Sequence, residues 1–179
     1  MPTLHVLTAG YVGSRTASTV SLVEAPGALI VVDPGMVAST SLILDPLHDL
    51  GHDQEDVTDV ILSHHHPDHT INVALFPNAR VHDHWAIYEG DQWISRPAEG
   101  YEVAPSVTLW ETPGHSPQDI TTMVETDQGV AALTHLWWHD EGPEDDPFCT
   151  DPEAMARGRD RVRGAASLIV PGHGAMFRI

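Results

Sequence analysis

The stretch Ser63-His64-His65-His66-Pro67-Asp68-His69 decides how the rest of this chain is read. It follows Val60-Ile61-Leu62, a continuous apolar run of the kind found in strands buried on both faces. Four imidazoles and one carboxylate therefore crowd into six positions just past a strand end. His64 and His66 are two apart, so an extended backbone turns them to one face. Pro67 biases the residue before it away from helix, which keeps His66 extended. Asp68 and His69 lie just past that bend and can face the same cavity from the other side. With imidazole nitrogen and carboxylate oxygen as donors, zinc is the natural guest. A solvated His-rich turn is the plainer alternative, but a polar cluster at the end of a buried strand is costly to keep without a role.

Working outward, residues 4–7, 19–24 and 28–32 read as strands, with turns at 10–13 and 26–27. The third strand ends in Asp33-Pro34-Gly35. Residues 40–50 carry Leu42, Ile43, Leu47 and Leu50 at helical spacing, with Gly51 as a C-cap and Pro46 as a potential break. Residues 56–62 form the strand that delivers the His cluster. Beyond it, 71–76 reads as a short helix and 80–82 as a short strand. Further strands are expected at 106–111, 121–125, 129–133 and 167–170, and a helix at 151–166. Residues 85–101 and 137–151 read as long loops rich in Trp, Gly, Pro and acids, and loops of that length are commonly functional.

Two later turns each place a histidine after a strand: Thr112-Pro113-Gly114-His115-Ser116 and Pro171-Gly172-His173-Gly174. Either alone is an ordinary turn. Both together, downstream of the first cluster, form a joint signal for a metal centre.

The composition sets limits. The chain has 179 residues, 41% hydrophobic and 19% charged, which predicts one globular domain over residues 1–179. Its formal net charge is −18, with eight Arg and no Lys, and a surface so acidic repels phosphate backbones. Nucleic acid is therefore disfavoured as a partner and a small-molecule substrate favoured. Arg157, Arg159, Arg161 and Arg163 read as a solvated helix face. Cys149 is the single cysteine, which excludes an internal disulfide and a thiolate cluster. The first residues lack a basic-then-apolar leader and no run approaches a membrane span, so a cytoplasmic protein is expected. The Trp-rich loops suit a homodimer interface or a substrate pocket equally.

The HHHPDH string has the HxHxDH form, and with TPGHS and PGHG it resembles the metallo-β-lactamase superfamily. The motifs cover nearly the whole chain, from the VVDPG strand end to the last PGH. Segment order is most similar to the compact glyoxalase II-like branch, in particular the metallo-β-lactamase-domain-containing protein 1 group. The resemblance implies an α+β fold, an αββα sandwich of two mixed sheets flanked by helices, with metals at one edge. It also implies His64, His66 and His115 as one metal site and Asp68, His69 and His173 as another. Asp33 would support a ligand through a hydrogen bond, and His65, at a non-ligand position, would pack or hydrogen-bond beneath the metals.

One position departs from the pattern. The family supplies a bridging Asp in a Gly-Asp pair after a strand, whereas Thr134-His135 stands here. A neutral imidazole offers one lone pair, so His135 is expected to ligate one of two metals; a single occupied metal is the second option. Replacement by His139 or Asp140 is a third. The resemblance then implies a hydrolase using a metal-bound hydroxide, with Asp68 orienting it and relaying a proton. Zn2+ is the expected cofactor, with one or two ions, and Fe or Mn as alternatives. The expected substrate is a small ester, thioester or lactone. Phosphodiester or RNA cleavage, β-lactam hydrolysis, a weakly catalytic metal-binding protein and an iron-dependent oxidoreductase are the rival readings. His82, His84, Trp137 and Trp138 are candidate substrate contacts, with a surface pair as the blander reading of the two histidines.

Overall fold

The fold is described from a computed structural model covering residues 1–140 and 142–179. Its first half is a seven-stranded sheet in sequential order. Strands β1 (Thr3–Thr8), β2 (Val20–Ala25) and β3 (Ala28–Val32) run antiparallel. Strands β4 (Asp59–Ile61) and β5 (Arg80–His82) continue parallel to β3, and an antiparallel hairpin, β6 (Ala86–Glu89) and β7 (Gln92–Ser95), closes the sheet. The second sheet has six strands: β8 (Glu102–Ala104), β9 (Val107–Glu111), β10 (Ile120–Thr126), β11 (Gly129–Thr134), β12 (Leu168–Pro171) and β13 (Phe177–Arg178). Only β11 and β12 pair parallel in it, so both sheets are mixed, as expected.

Alternation within the strands explains the layers. Ile30 and Val32 of β3 meet Leu109, Ile120, Val124 and Leu133 in the core between the sheets. Leu29 and Val31 point the other way, into a second core with Ile43 and Leu47 of helix α1 (Ser41–Asp49). On the outer face of the second sheet, Ala132 and Ile169 pack with Met155 and Val162 of the C-terminal helix (Pro152–Arg163). Strands that bury both faces read as near-continuous apolar runs, which is why they were legible.

Helix α1 runs through Pro46 unbroken, because burial of Ile43 and Leu47 outweighs one missing backbone donor. The helix expected at 71–76 is instead helix α2 (Pro67–Thr70) followed by a single 3₁₀ turn, Val73–Leu75; the C-terminal helix is therefore α3. Residues 85–101 are not a plain loop, since the β6–β7 hairpin occupies 86–95 around Gly90-Asp91. Gly90 takes φ +60° there, and a Gly-Asp pair between two runs is a hairpin signal. Among the described residues no helix is long and apolar enough to cross a membrane.

Candidate metal centre

The strand ends of β3, β4, β9, β11 and β12 converge on one edge of the sandwich. Each delivers a polar residue: Asp33 after β3, His64 and His66 after β4, His115 after β9, His135 after β11 and His173 after β12. His66 holds the extended conformation (φ −69°, ψ 142°) and Pro67 opens α2, so His69 is turned inward and fully buried. Pro67 thus ends one backbone geometry and starts the other. Gly35 permits this packing: a Cβ there would lie 1.6 Å from the Asp68 carbonyl oxygen.

The donor atoms fall into groups. Those of His64, His66 and His115 lie within 4.8 Å of one another, as do those of Asp68, His69 and His173. The His66 Nδ1 is 3.0 Å from both His64 Nε2 and His115 Nε2. Asp68 Oδ2 lies 3.7 Å from His69 Nε2 and 3.6 Å from His173 Nε2. Donors on one tetrahedral zinc are roughly 3.3 Å apart, so these spacings suit a bound dication.

The far side of the rings strengthens the case. His69 Nδ1 donates to Asp33 Oδ2 at 2.9 Å, His115 Nδ1 to Asp146 Oδ2 at 2.6 Å, and His173 Nδ1 to the Ala17 carbonyl at 2.9 Å. Those partners only accept, so each ring carries its proton on Nδ1 and turns a bare Nε2 lone pair inward. His64 Nδ1 meets Ser63 Oγ at 3.0 Å. Lone pairs that converge repel unless a cation lies among them, and among the described residues the buried His69 Nε2 has no hydrogen-bond partner. The residues present fit a divalent metal.

Burial first, then the neighbouring imidazoles, holds His64 and His135 well below the usual histidine pKa. The same causes lower His66. Rings kept neutral in this way offer lone pairs at neutral pH without first losing a proton. Asp146 is lowered despite burial, which alone would raise it, because His115, the Phe148 N–H and Trp138 all donate to it. Asp33 sits in the left-handed region (φ 53°) while its Oδ1 accepts from the Ser63 N–H at 2.7 Å. A strained residue that braces both the His cluster's first residue and His69 is a positioning device.

His135 stands between the two groups. Its Nε2 is 3.1 Å from His173 Nε2, its donor also groups with His64 and His69, and its Nδ1 is buried without a partner. Gly172 makes room for the ring, since a Cβ there would meet His135 Cδ2 at 2.4 Å. Neither His139 nor Asp140 belongs to any donor group among the described residues.

Above the donors opens a cavity of about 410 Å³, within the usual size of small-molecule sites. His66, Asp68 and His135 reach it, and Val12, Met36, Trp138 and Phe148 form apolar walls. The Trp138 and Phe148 rings stack at 6.0 Å between centroids.

Several expected contacts lie elsewhere. His82 is buried under the first sheet, its Nε2 2.8 Å from Asp59 Oδ1, and does not reach the cavity. His84 does not line it either; its ring lies 5.9 Å from Trp85. Trp137 packs in the α3 core beneath Arg159 and Arg163, because consecutive residues leaving β11 point to opposite sides and Trp138 takes the cavity side. His65 is not beneath the metal edge: it is exposed, 3.0 Å from Asp83 Oδ2 and edge-on to Trp85. Sequence reading missed Asp146; an acid followed by Pro147 in the long loop was its one local signal.

Two mixed sheets with helices outside and a His/Asp donor set at one edge define a metal-binding sandwich protein. The family model of the metallo-beta-lactamase superfamily matches residues 13–144, and the chain belongs to that superfamily. It is 36% identical over 179 residues to mouse metallo-beta-lactamase domain-containing protein 1, covering 93% of this chain and 66% of the mouse protein. The human protein of that name is 32% identical, with 89% and 63% covered. The chain thus spans about two thirds of the length of these relatives. A metallo-β-lactamase-like protein of Thermotoga maritima superimposes with TM-score 0.81 at 22% identity, covering 99% of each chain. The Bacillus thuringiensis lactonase AiiA, solved with N-decanoyl-L-homoserine bound, gives TM-score 0.68 at 23% identity, covering 96% of this chain and 92% of that one. The two solved structures, both under 25% identical, share the fold of this chain.

Proposed function

We propose that this chain hydrolyses a small, uncharged ester, thioester or lactone with an apolar arm. The observation that carries the reading is the set of inward-facing imidazole lone pairs at the floor of an apolar cavity. On this reading His64, His66 and His115 hold one metal. Asp68, His69 and His173 hold a second, and His135 ligates beside His173. A bound divalent metal lowers the pKa of its water to about 7 and polarises a carbonyl oxygen. Asp68, which lines the cavity and is partly exposed, orients the attacking water and takes up its proton for delivery to the leaving group. Val12, Met36, Trp138 and Phe148 hold the apolar arm and exclude bulk water. The lactonase activity in the names of structural neighbours supports a cyclic or linear ester as the electrophile.

A single-metal site is the second reading, favoured by His135, whose neutral ring brings no negative charge to offset a second dication. Phosphodiester cleavage is less well supported, since among the described residues no Arg lines this cavity and the chain has no Lys. The test is metal content per chain, followed by turnover of ester, thioester and lactone panels before and after chelation. About two zinc per chain with chelator-sensitive turnover is expected. Turnover that survives complete metal removal overturns the reading.

A further inference from the structure

One buried carboxylate touches both halves of the site. Asp146 Oδ2 accepts from His115 Nδ1 at 2.6 Å and from the Trp138 indole Nε1–H at 2.9 Å, and its Oδ1 accepts from the Phe148 N–H at 2.8 Å. Its side chain has no exposed surface. His115 belongs to the first donor group, while Trp138 and Phe148 are the stacked wall of the cavity. The neighbouring acid, Asp145, is exposed.

We infer that Asp146 is a positioning residue that couples the metal floor to the substrate wall. The inference rests on the metal reading above and extends it to the loop that forms one wall of the cavity. A carboxylate hydrogen-bonded to Nδ1–H fixes the imidazole's tautomer and raises the basicity of the opposite nitrogen. The same carboxylate sets the indole plane, and through the Phe148 backbone it sets the ring stacked upon it. An amide cannot replace it. Three donors converge on Asp146, and an Asn in either orientation points its own NH2 at one or more of them. His115 and the wall are therefore set together, and metal affinity and substrate fit depend on the same group.

The experiment titrates apo protein with Co2+, reading visible absorption, and measures steady-state kinetics of 4-nitrophenyl butyrate on the Zn2+ form. Asp146→Asn is expected to weaken Co2+ binding by about 10- to 100-fold, shift its absorption band, and raise KM. Asp145→Asn, which removes the same charge, leaves all three unchanged. Trp138→Phe, which removes the indole donor and part of the wall but leaves the His115–Asp146 bond, raises KM and leaves Co2+ affinity as in the wild type. Should Asp146→Asn not fold, Asp146→Glu keeps the charge on a longer arm, and an altered Co2+ spectrum is expected. Unchanged Co2+ affinity in Asp146→Asn, an unchanged spectrum in Asp146→Glu, or an equal effect from Asp145→Asn overturns the inference. Wild-type protein that takes up no Co2+ rejects the metal reading itself, and is distinguished by being measured first.

Discussion

Two histidine–carboxylate clusters, one within the first sheet and one at the edge where both sheets end, are wired in opposite ways. Inside the sheet, Asp59 of β4 accepts from His82 at 2.8 Å, from Arg80 at 2.8 Å and from the Thr58 hydroxyl at 2.7 Å. The Nδ1 of His82 is buried without a partner among the described residues, but no second ligand meets it and His82 joins no donor group there. At the metal edge, the carboxylates of Asp33 and Asp146 instead bond the far nitrogens of His69 and His115, leaving each near nitrogen among other donors. The difference teaches that a buried histidine is assigned by where its second nitrogen points. A ring whose free nitrogen meets no other donor holds the fold; a ring backed by an acid, with its free nitrogen among other donors, offers a ligand.

Substitutions should separate the two clusters sharply. The largest effect is expected from His115→Ala, which should lower kcat/KM by more than about 100-fold, since even outer partners of metal ligands are worth 10–100-fold. Metal analysis should show the loss alongside the fall in kcat/KM. His82→Ala should do the reverse. Removing the His82 donor from buried Asp59, with Arg80 still bonded to it, costs about 2–3 kcal/mol. Calorimetry should read that as a midpoint lower by roughly 5–10 °C, with kcat/KM per folded molecule unchanged. An active-site effect of His82→Ala comparable to that of His115→Ala would erase the distinction.

His135→Asp sharpens the comparison within the metal edge. A carboxylate there restores a negative charge, so the affinity for a second zinc should rise several-fold, read by titration against a competing chelator. A fall in affinity would mean that the imidazole is the better ligand in this setting.

The smallest effect is a pH dependence. Burial would raise the Asp59 pKa, but the bonds from His82 and Thr58 and the charges of His82 and Arg80 outweigh it and hold the carboxyl below its usual 3.8. A group whose folded pKa is depressed adds stability above its unfolded pKa and loses it as pH falls through the folded value. Chemical denaturation of metal-free wild type and Asp59→Asn should show a gap that is constant above about pH 5 and narrows below pH 4. A gap that widens on acidification would contradict the pairing.

Much of the metal edge was legible because its signal is local. Residues 63–69 are contiguous, the strand before them buries both faces, and Pro67 sets the bend, so backbone rules alone bring His64 and His66 to one side. The two Pro-Gly-His turns follow strands for the same reason. The β6–β7 hairpin was missed because its strands are only four residues each, and β7 is an edge strand exposed along its whole length, so neither shows a clear alternation. The histidines around Asp83 were misjudged because alternation tells which residues share a face, and not which layer that face meets.

By itself, then, the amino-acid sequence determined most of the central strands and the histidines that end them, while the two mixed sheets were implied by the family resemblance of its motifs. Periodicity and turn chemistry act over a few residues and survive without knowledge of the partner. Only the tertiary structure decided that Trp138 faces the cavity while Trp137 enters the core, and that Asp146, 31 residues from His115, backs its ring. Such pairings depend on how α3 and the loop before it settle against the second sheet. That is a property of the packed whole, and no short stretch of the chain encodes it.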